Sequence, residues 1–320
     1  MTPASWEEWR TGLQAEVSYE TRAPKVSFLT RGLGALLDHI ALMKPGILVF
    51  LLITGFAGMV VAAHGLPALD VALPALVGLG LSCGGAAAVN MWYDRDIDQV
   101  MSRTRLRPVA AGRIPARRAL IFGIILEAAS IVILGVFVNL LAAALTLAGF
   151  LYYVVVYTMW LKRRTAQNIV IGGGAGAFPP IVGWAAVTGQ VSVAALLMFA
   201  IVFLWTPPHF WSLALYKQDD YRAARIPMMP VVAGERSTKV QSLVYAVLLL
   251  LASVALWETH AVGILYIVVA LLLGIAFVLQ NALLVREPPE ETRIARRTFR
   301  FSLLYLFGIF IAMMVSIPPH

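Results

Sequence analysis

Five side chains in this sequence are of the right types and spacing to hold a metal-escorted anion. Asn90, Asp94 and Asp98 recur every four residues in Asn90-Met91-Trp92-Tyr93-Asp94-Arg95-Asp96-Ile97-Asp98. At about 100° per residue a step of four drifts only about 40°, so a helix would carry all three on one face, about 6 Å apart along its axis. A row of oxygen ligands suits a hard cation, and Mg²⁺ is commonly held by one or two carboxylates together with substrate phosphates. Asp219 and Asp220 supply a second acidic pair far along the chain. Basic residues accompany both: Arg103 and Arg107 one turn apart, then Lys162-Arg163-Arg164. Arginine can clamp phosphate oxygens through two nitrogens, while lysine acts as a point charge. Asp94, Asp98 and Asp220 are therefore candidate catalytic residues, and Arg103, Arg107, Lys162 and Arg163 candidate diphosphate contacts. The competing reading is that the acids pair with arginines on a solvated surface, and that the basic residues only hold loops on one side of a membrane.

The elements that must position these residues are membrane helices. The chain has 320 residues, of which 60% are hydrophobic and 13% charged; a soluble domain carries roughly 25% charged residues. The apolar residues come in runs long enough to cross a hydrocarbon core, about 20 residues each. Alternating strands are absent, and lipid leaves helices as the remaining way to satisfy the backbone. The runs predict spans at 46–64, 71–92, 118–138, 141–161, 168–187, 192–216, 239–258, 262–284 and 300–317, preceded by a polar segment, 1–45, that could include an interfacial helix. All 25 Lys and Arg residues then fall on alternate loops. By the positive-inside rule the N-terminus is cytoplasmic and, with nine spans, the C-terminus lies outside. The net charge of +8 thus reflects topology and does not call for nucleic acid. The polar segment has no secretory pattern, and its acids argue against a mitochondrial transit peptide, so a bacterial inner membrane is the simplest location. Cys83 stands alone, which excludes a disulfide framework.

The two longest inner loops echo each other. Asp98 is followed ten residues on by Pro108-Val109-Ala110-Ala111-Gly112, and Asp220 ten residues on by Pro230-Val231-Val232-Ala233-Gly234. Both loops follow spans of the same direction, as in a weak parallel repeat about an axis along the membrane normal. The fold expected is an all-α bundle of nine spans around a central cavity that both loops face. On this alignment Asp94 matches Tyr216 and Asn90 matches Ser212, so the second acidic row is incomplete. Within the sixth span, Trp205-Thr206-Pro207-Pro208-His209-Phe210-Trp211 combines two prolines, which break helices, with a histidine. That imidazole could bind haem iron or a propionate, or be a buried ring satisfied by a neighbour. The run Gly172-Gly173-Gly174-Ala175-Gly176 lacks the ending of a phosphate loop and is read as helix packing.

Asn90-xxx-Asp94-xxx-Asp98, with a second acidic loop, resembles the UbiA superfamily of intramembrane prenyltransferases over nearly the whole chain from Lys44-Pro45. Arg103-Thr104-Arg105-Leu106-Arg107-Pro108, Trp160-Leu161-Lys162-Arg163-Arg164-Thr165, the stretch Trp205–Trp211, and Asp219-Asp220-Tyr221 with Ile226-Pro227-Met228-Met229-Pro230-Val231-Val232 are similar to the branch that farnesylates haem. The resemblance implies transfer of farnesyl from farnesyl diphosphate to a vinyl group of haem b, with water added, giving haem o. It implies that Asn90, Asp94, Asp98, Asp219 and Asp220 hold Mg²⁺ and diphosphate, that Arg103, Arg107 and Lys162 contact the diphosphate, and that haem a synthase or cytochrome oxidase assembly proteins are partners. Arg225 departs from the family, which usually has glycine there. Other readings are a related enzyme with another aromatic or a chlorin acceptor, a transporter, and a haem-binding assembly factor without catalysis.

Overall fold

The computed structural model describes residues 28–289 and 291–318. Arg10, Arg22, Lys25 and His320 lie outside that range. The chain divides into two compact units, residues 1–38 and 39–320. The described part of the first opens a helix, α1 (Phe28–Leu42), too short to cross a bilayer.

The second unit is helical. Its elements are α2 (Pro45–Ala62), α3 (Leu69–Tyr93), α4 (Arg95–Val100), α5 (Ala116–Phe137), α6 (Leu140–Leu151) with its continuation π1 (Tyr152–Leu161), α7 (Asn168–Gly172) and α8 (Gly174–Thr188). They are followed by α9 (Val193–Leu215), α10 (Gln218–Ala223), α11 (Met229–Val232), α12 (Gly234–Glu258), α13 (Ile264–Arg286) and α14 (Arg293–Val315). Among the described residues nine helical segments are long and apolar enough to span a membrane, as the apolar runs predict. Leucine, valine and isoleucine point outward from most of them, for example Ile125, Val132 and Leu272. That pattern is stable only against lipid.

The spans pack in chain order and then close. α2 lies on α3, α3 on α5, α5 on α6, α6 on α8, α8 on α9, α9 on α12, α12 on α13, α13 on α14, and α14 returns to α2. The first and last spans lie side by side, α2 also packs closely on α8, and α9 on α14. Close approach needs small residues. At the α3–α5 crossing a Cβ on Gly85 would stand 2.6 Å from the Gly123 carbonyl oxygen, so only glycine fits.

The internal echo is structural as well. The second and sixth spans each lead into a six-residue helix carrying acids, α4 and α10. Each loop then reaches a glycine with left-handed backbone, Gly112 (φ 73°) and Gly234 (φ 79°).

Three expectations from the sequence are corrected. The prolines do not break the sixth span: α9 runs unbroken through Pro207 and Pro208, with the Thr206 hydroxyl donating to the Val202 carbonyl at 2.8 Å and Ser212 to that of Pro208 at 2.6 Å. The carbonyls of Phe203 and Leu204, which lose their N–H partners to the prolines, lie on a helix packed against α8, α12 and α14, and membrane helices tolerate proline where neighbouring helices compensate. The seventh span starts at Gly234 rather than 239, and buried Lys239 pairs with Glu235 at 3.1 Å and donates to the Glu287 carbonyl at 3.0 Å. The last span starts at Arg293, seven residues before the apolar run. Buried Glu287 accepts the backbone N–H groups of Ile294 (2.5 Å) and Ala295 (3.2 Å). That caps the otherwise unsatisfied first turn and makes the arginine-rich stretch helical.

Candidate active site

The acidic row survives a change of element. α3 ends at Tyr93, Asp94 sits at the junction, and Asp98 lies on α4, yet the Asp94 N–H still reaches the Asn90 carbonyl (2.9 Å) and the Asp98 N–H that of Asp94 (2.8 Å). The four-residue register is thereby kept, and all three side chains are buried, Asp94 completely. Such carboxylates require cations, and each has its own. Arg107 Nη1 donates to both oxygens of Asp98, at 2.8 and 2.9 Å. Lys162 forms an ion pair with Asp94 Oδ2. Arg163 grips Asp96 at 2.6 and 2.7 Å and approaches Asp94 Oδ1 at 3.5 Å. The guanidinium of Arg163 holds the Asp96 carboxyl at about 2, below the usual carboxylate range.

Lys44 joins this group and was not singled out from sequence. Its ammonium donates to Asn90 Oδ1 at 2.7 Å and to the Tyr153 hydroxyl at 3.4 Å. It stands in left-handed backbone (φ 53°) just before Pro45, a geometry that turns the side chain inward at the head of the first span. Burial pushes its pKa well below the usual lysine value, and the charges of Arg107 and Lys162 add to that.

A π-helix aligns the remaining partners. In π1 the Lys162 N–H reaches the Tyr157 carbonyl five residues back, at 2.9 Å. Lys162 lies nine residues after Tyr153, which is 2.5 turns of an α-helix and would put it on the opposite side. With about 4.4 residues per turn, the π form makes it two turns, on the same side. Tyr153, Tyr157, Thr158 and Lys162 consequently share the face turned to α3, where Thr158 Oγ1 accepts from Asn90 Nδ2 at 3.2 Å. The tyrosine rings lie 5.6 Å apart. The Gly172 run is the seat for this face: a Cβ on Gly172 would fall 2.2 Å from the Tyr157 ring.

The second acidic loop meets the first. Ser102 Oγ donates to Asp220 Oδ2 at 2.7 Å. Buried Tyr221 feels the charges of Arg103, Lys162 and Asp220. Asp219 differs: its side chain is 98% exposed and pairs with Arg222 at 3.2 Å. Arg103 is exposed and, among the described residues, has no acid paired with it. Arg225 has φ 53°, which accounts for a preference for glycine at that position.

His209 stands away from the acids. Its ring stacks on Trp205 (4.2 Å) and Phe299 (4.8 Å), and Nδ1 is 2.6 Å from Ser302 Oγ. Both ring faces are therefore covered within the α9–α14 seam, the arrangement of a histidine satisfied by its neighbours.

Whether these residues suit a divalent metal can be tested on the donors. Asp94 Oδ1 is buried with no hydrogen-bond partner, and Asn90, Asp94 and Asp98 offer hard oxygens on one face. Among the described residues no three acidic, histidine or cysteine side chains cluster closely enough to enclose a metal by themselves. Two carboxylates, with ligand phosphates completing the shell, fit Mg²⁺.

A buried acidic row, matched by cations from three separate parts of a nine-span bundle, defines an intramembrane enzyme for a charged head on an apolar substrate. The model of the UbiA prenyltransferase family matches residues 51–306, and the chain belongs to that family. Protoheme IX farnesyltransferase of Symbiobacterium thermophilum is 56% identical over 280 residues, covering 88% of this chain and 94% of that protein. The protein of the same name from Brucella ovis is 50% identical, covering 87% and 89%. Among solved structures, digeranylgeranylglyceryl phosphate synthase superposes with a TM-score of 0.74 at 18% identity, covering 88% and 98%. A UbiA homologue from Archaeoglobus fulgidus bound to GPP and Mg²⁺ superposes with a TM-score of 0.64 at 17% identity, covering 87% and 100%.

Proposed function

We propose that this chain transfers the farnesyl group of farnesyl diphosphate to a vinyl group of haem b, with addition of water, giving haem o and diphosphate. The donor chemistry rests on one observation: Arg107, Lys162 and Arg163 converge on buried Asp98 and Asp94, and Lys44 on Asn90 of the same row. The acceptor is argued from the relatives' name. Membership of a prenyltransferase family leaves the transporter reading without support.

Asn90, Asp94 and Asp98, with Asp220 across the gap, would hold Mg²⁺, and in this reading Asp219 contributes from the solvent side. The metal supplies Lewis-acid stabilisation of the charge on the departing diphosphate. Arg107 and Lys162, with Arg103 and Arg163, reach the diphosphate oxygens and stabilise the same charge through fixed donors. The C1–oxygen bond breaks, and the electron pair of the vinyl group forms the new carbon–carbon bond. Water adds to the carbocation left beside the porphyrin ring and loses a proton, leaving a hydroxyl. Tyr153 and Tyr157, on the same face as Lys162, would attract an allylic cation to their rings. Burial limits water before bond formation, which would otherwise release farnesol. The distribution of Lys and Arg supports a bacterial cytoplasmic membrane with the N-terminus inside. The product is a substrate for further haem modification, so haem a synthase and oxidase assembly proteins are proposed neighbours.

The test is conversion of haem b to haem o by the purified protein, followed by mass spectrometry with and without Mg²⁺. Asp94→Ala and Asp98→Ala should each abolish turnover while the protein still folds. Full activity in either would remove the metal assignment. Prenylation of 4-hydroxybenzoate but not haem b would replace the acceptor.

A further inference from the structure

The arginines at the start of α14 remain unused by the chemistry above. Arg293, Arg296, Arg297 and Arg300 fall at i, i+3, i+4 and i+7, so they share one face of the helix, and all four are exposed. None has a carboxylate partner among the described residues. Their number alone would suit loop topology, but Arg296, one turn before Arg300, packs on an aromatic stack at the end of α9.

Arg296 lies 4.7 Å above the Tyr216 ring. Tyr216 meets Phe299 edge to face at 6.0 Å, and Phe299 continues the stack through His209 to Trp205. Burial raises the pKa of Tyr216, while the charges of Arg296, Arg103 and Arg300 oppose that. Guanidiniums of a loop and of a distant helix thus bear on one half-buried tyrosine. In the internal repeat, Tyr216 occupies the place that Asp94 holds in the first half. The first half carries a carboxylate to recruit a cation. The second half presents cations directly, as recognition of an anion without a metal requires.

We propose that Arg296 and Arg300, flanked by Tyr216 and Phe299, receive the two propionate carboxylates of the haem acceptor. The proposal rests on the acceptor reading above. The two arginines are one helical turn apart, about 6 Å along the axis. The propionates leave neighbouring pyrroles on one edge of the porphyrin, so the pair can take one carboxylate each through the planar forks that arginine offers. α14 begins seven residues before its apolar run, which sets these charges at headgroup depth. A porphyrin entering from lipid can then keep its carboxylates at the interface while its ring stays in hydrocarbon. The vinyl groups sit on the opposite half of the ring, so this anchoring points the reactive half inward. Arg103, exposed in the loop after α4, remains with the diphosphate.

The experiment uses the full chain in nanodiscs with haem b, haem b dimethyl ester, farnesyl diphosphate and Mg²⁺. Arg296→Ala/Arg300→Ala should raise the KM for haem b about tenfold or more, as loss of charged hydrogen bonds does, with the KM for farnesyl diphosphate within about twofold. Arg296→Lys/Arg300→Lys should recover part of the loss. The charge-matched Arg293→Ala/Arg297→Ala should leave the haem KM unchanged. With the ester, the wild-type protein should already be as poor as the Ala pair is with haem b, an arm that needs no variant to fold. The assignment fails if the wild type uses the ester as well as the acid. It fails equally if the Ala pair keeps its haem KM, or if both arginine pairs weaken haem use alike, which would mark a general surface for anionic lipid. If the wild type converts haem b but any of these holds, only the anchoring site is lost. If it does not convert haem b at all, the acceptor reading falls and the anchoring site with it.

Discussion

Lys44 and Asp98 illustrate how a single position acquires meaning only through its partner. Asp98 is bonded to Arg107, nine residues on, within one loop. Lys44 reaches Asn90 across 46 residues, and in sequence it is one of many basic residues at span ends. A hydrogen bond to a charged group contributes about 1.5–3 kcal/mol. Lys44→Ala is therefore expected to lower kcat/KM for farnesyl diphosphate about 10- to 100-fold in steady-state assays. An unchanged value would show that Lys44 acts only on topology. The acids were legible because three of them lie within five residues at a membrane boundary, where charge is costly. Lys44 was not, because nothing local distinguishes a lysine turned inward from one in solvent. His209 shows the reverse case: an unusual neighbourhood drew attention to a ring that its partners already satisfy.

At the scale of elements, the nine spans followed from apolar run length alone, with ends displaced where polar residues joined a helix. Gly234 and Arg293 begin spans early because Glu235 and Glu287 supply partners that an apolar count does not see. The π1 segment is the least legible element. Its sequence, Tyr152-Tyr153-Val154-Val155-Val156-Tyr157-Thr158-Met159-Trp160-Leu161, has no marker of a wider helix, yet its pitch brings Lys162 to Asp94. Deleting Val155 should let the segment relax toward an α-helix and turn Lys162 away from that carboxylate by about 60°, since eight α residues cover about 800° where nine π residues cover about 740°. The shortened protein is expected to insert normally but to lose at least about 100-fold in turnover, as catalytic geometry disturbed by ångströms does. Retained turnover would mean that the π pitch has no part in placing Lys162.

For the molecule as a whole, the decisive feature is that two halves of a parallel repeat turn their loops toward each other. Ser102 and Asp220, 118 residues apart, meet at 2.7 Å. In a Cys83→Ser background, Ser102→Cys with Asp220→Cys should form a disulfide on mild oxidation, seen as a linked peptide by mass spectrometry. No link under conditions that oxidise exposed thiols would separate the loops and leave Asp220 unable to share a ligand with Asp98. The halves also differ in chemistry. The first carries the full acidic row; the second carries Asp219 and Asp220 but has Tyr216 in place of the first acid and the α14 arginines beside it.

The sequence by itself determined the medium, the number of spans and the acidic row, because hydrophobic length and four-residue spacing are local properties of a chain. Only the tertiary structure decided which cation answers each carboxylate, that the last span returns to the first, and that π1 widens to present Lys162. Those depend on packing between segments far apart in sequence, and a buried charge takes whichever partner the fold brings within reach.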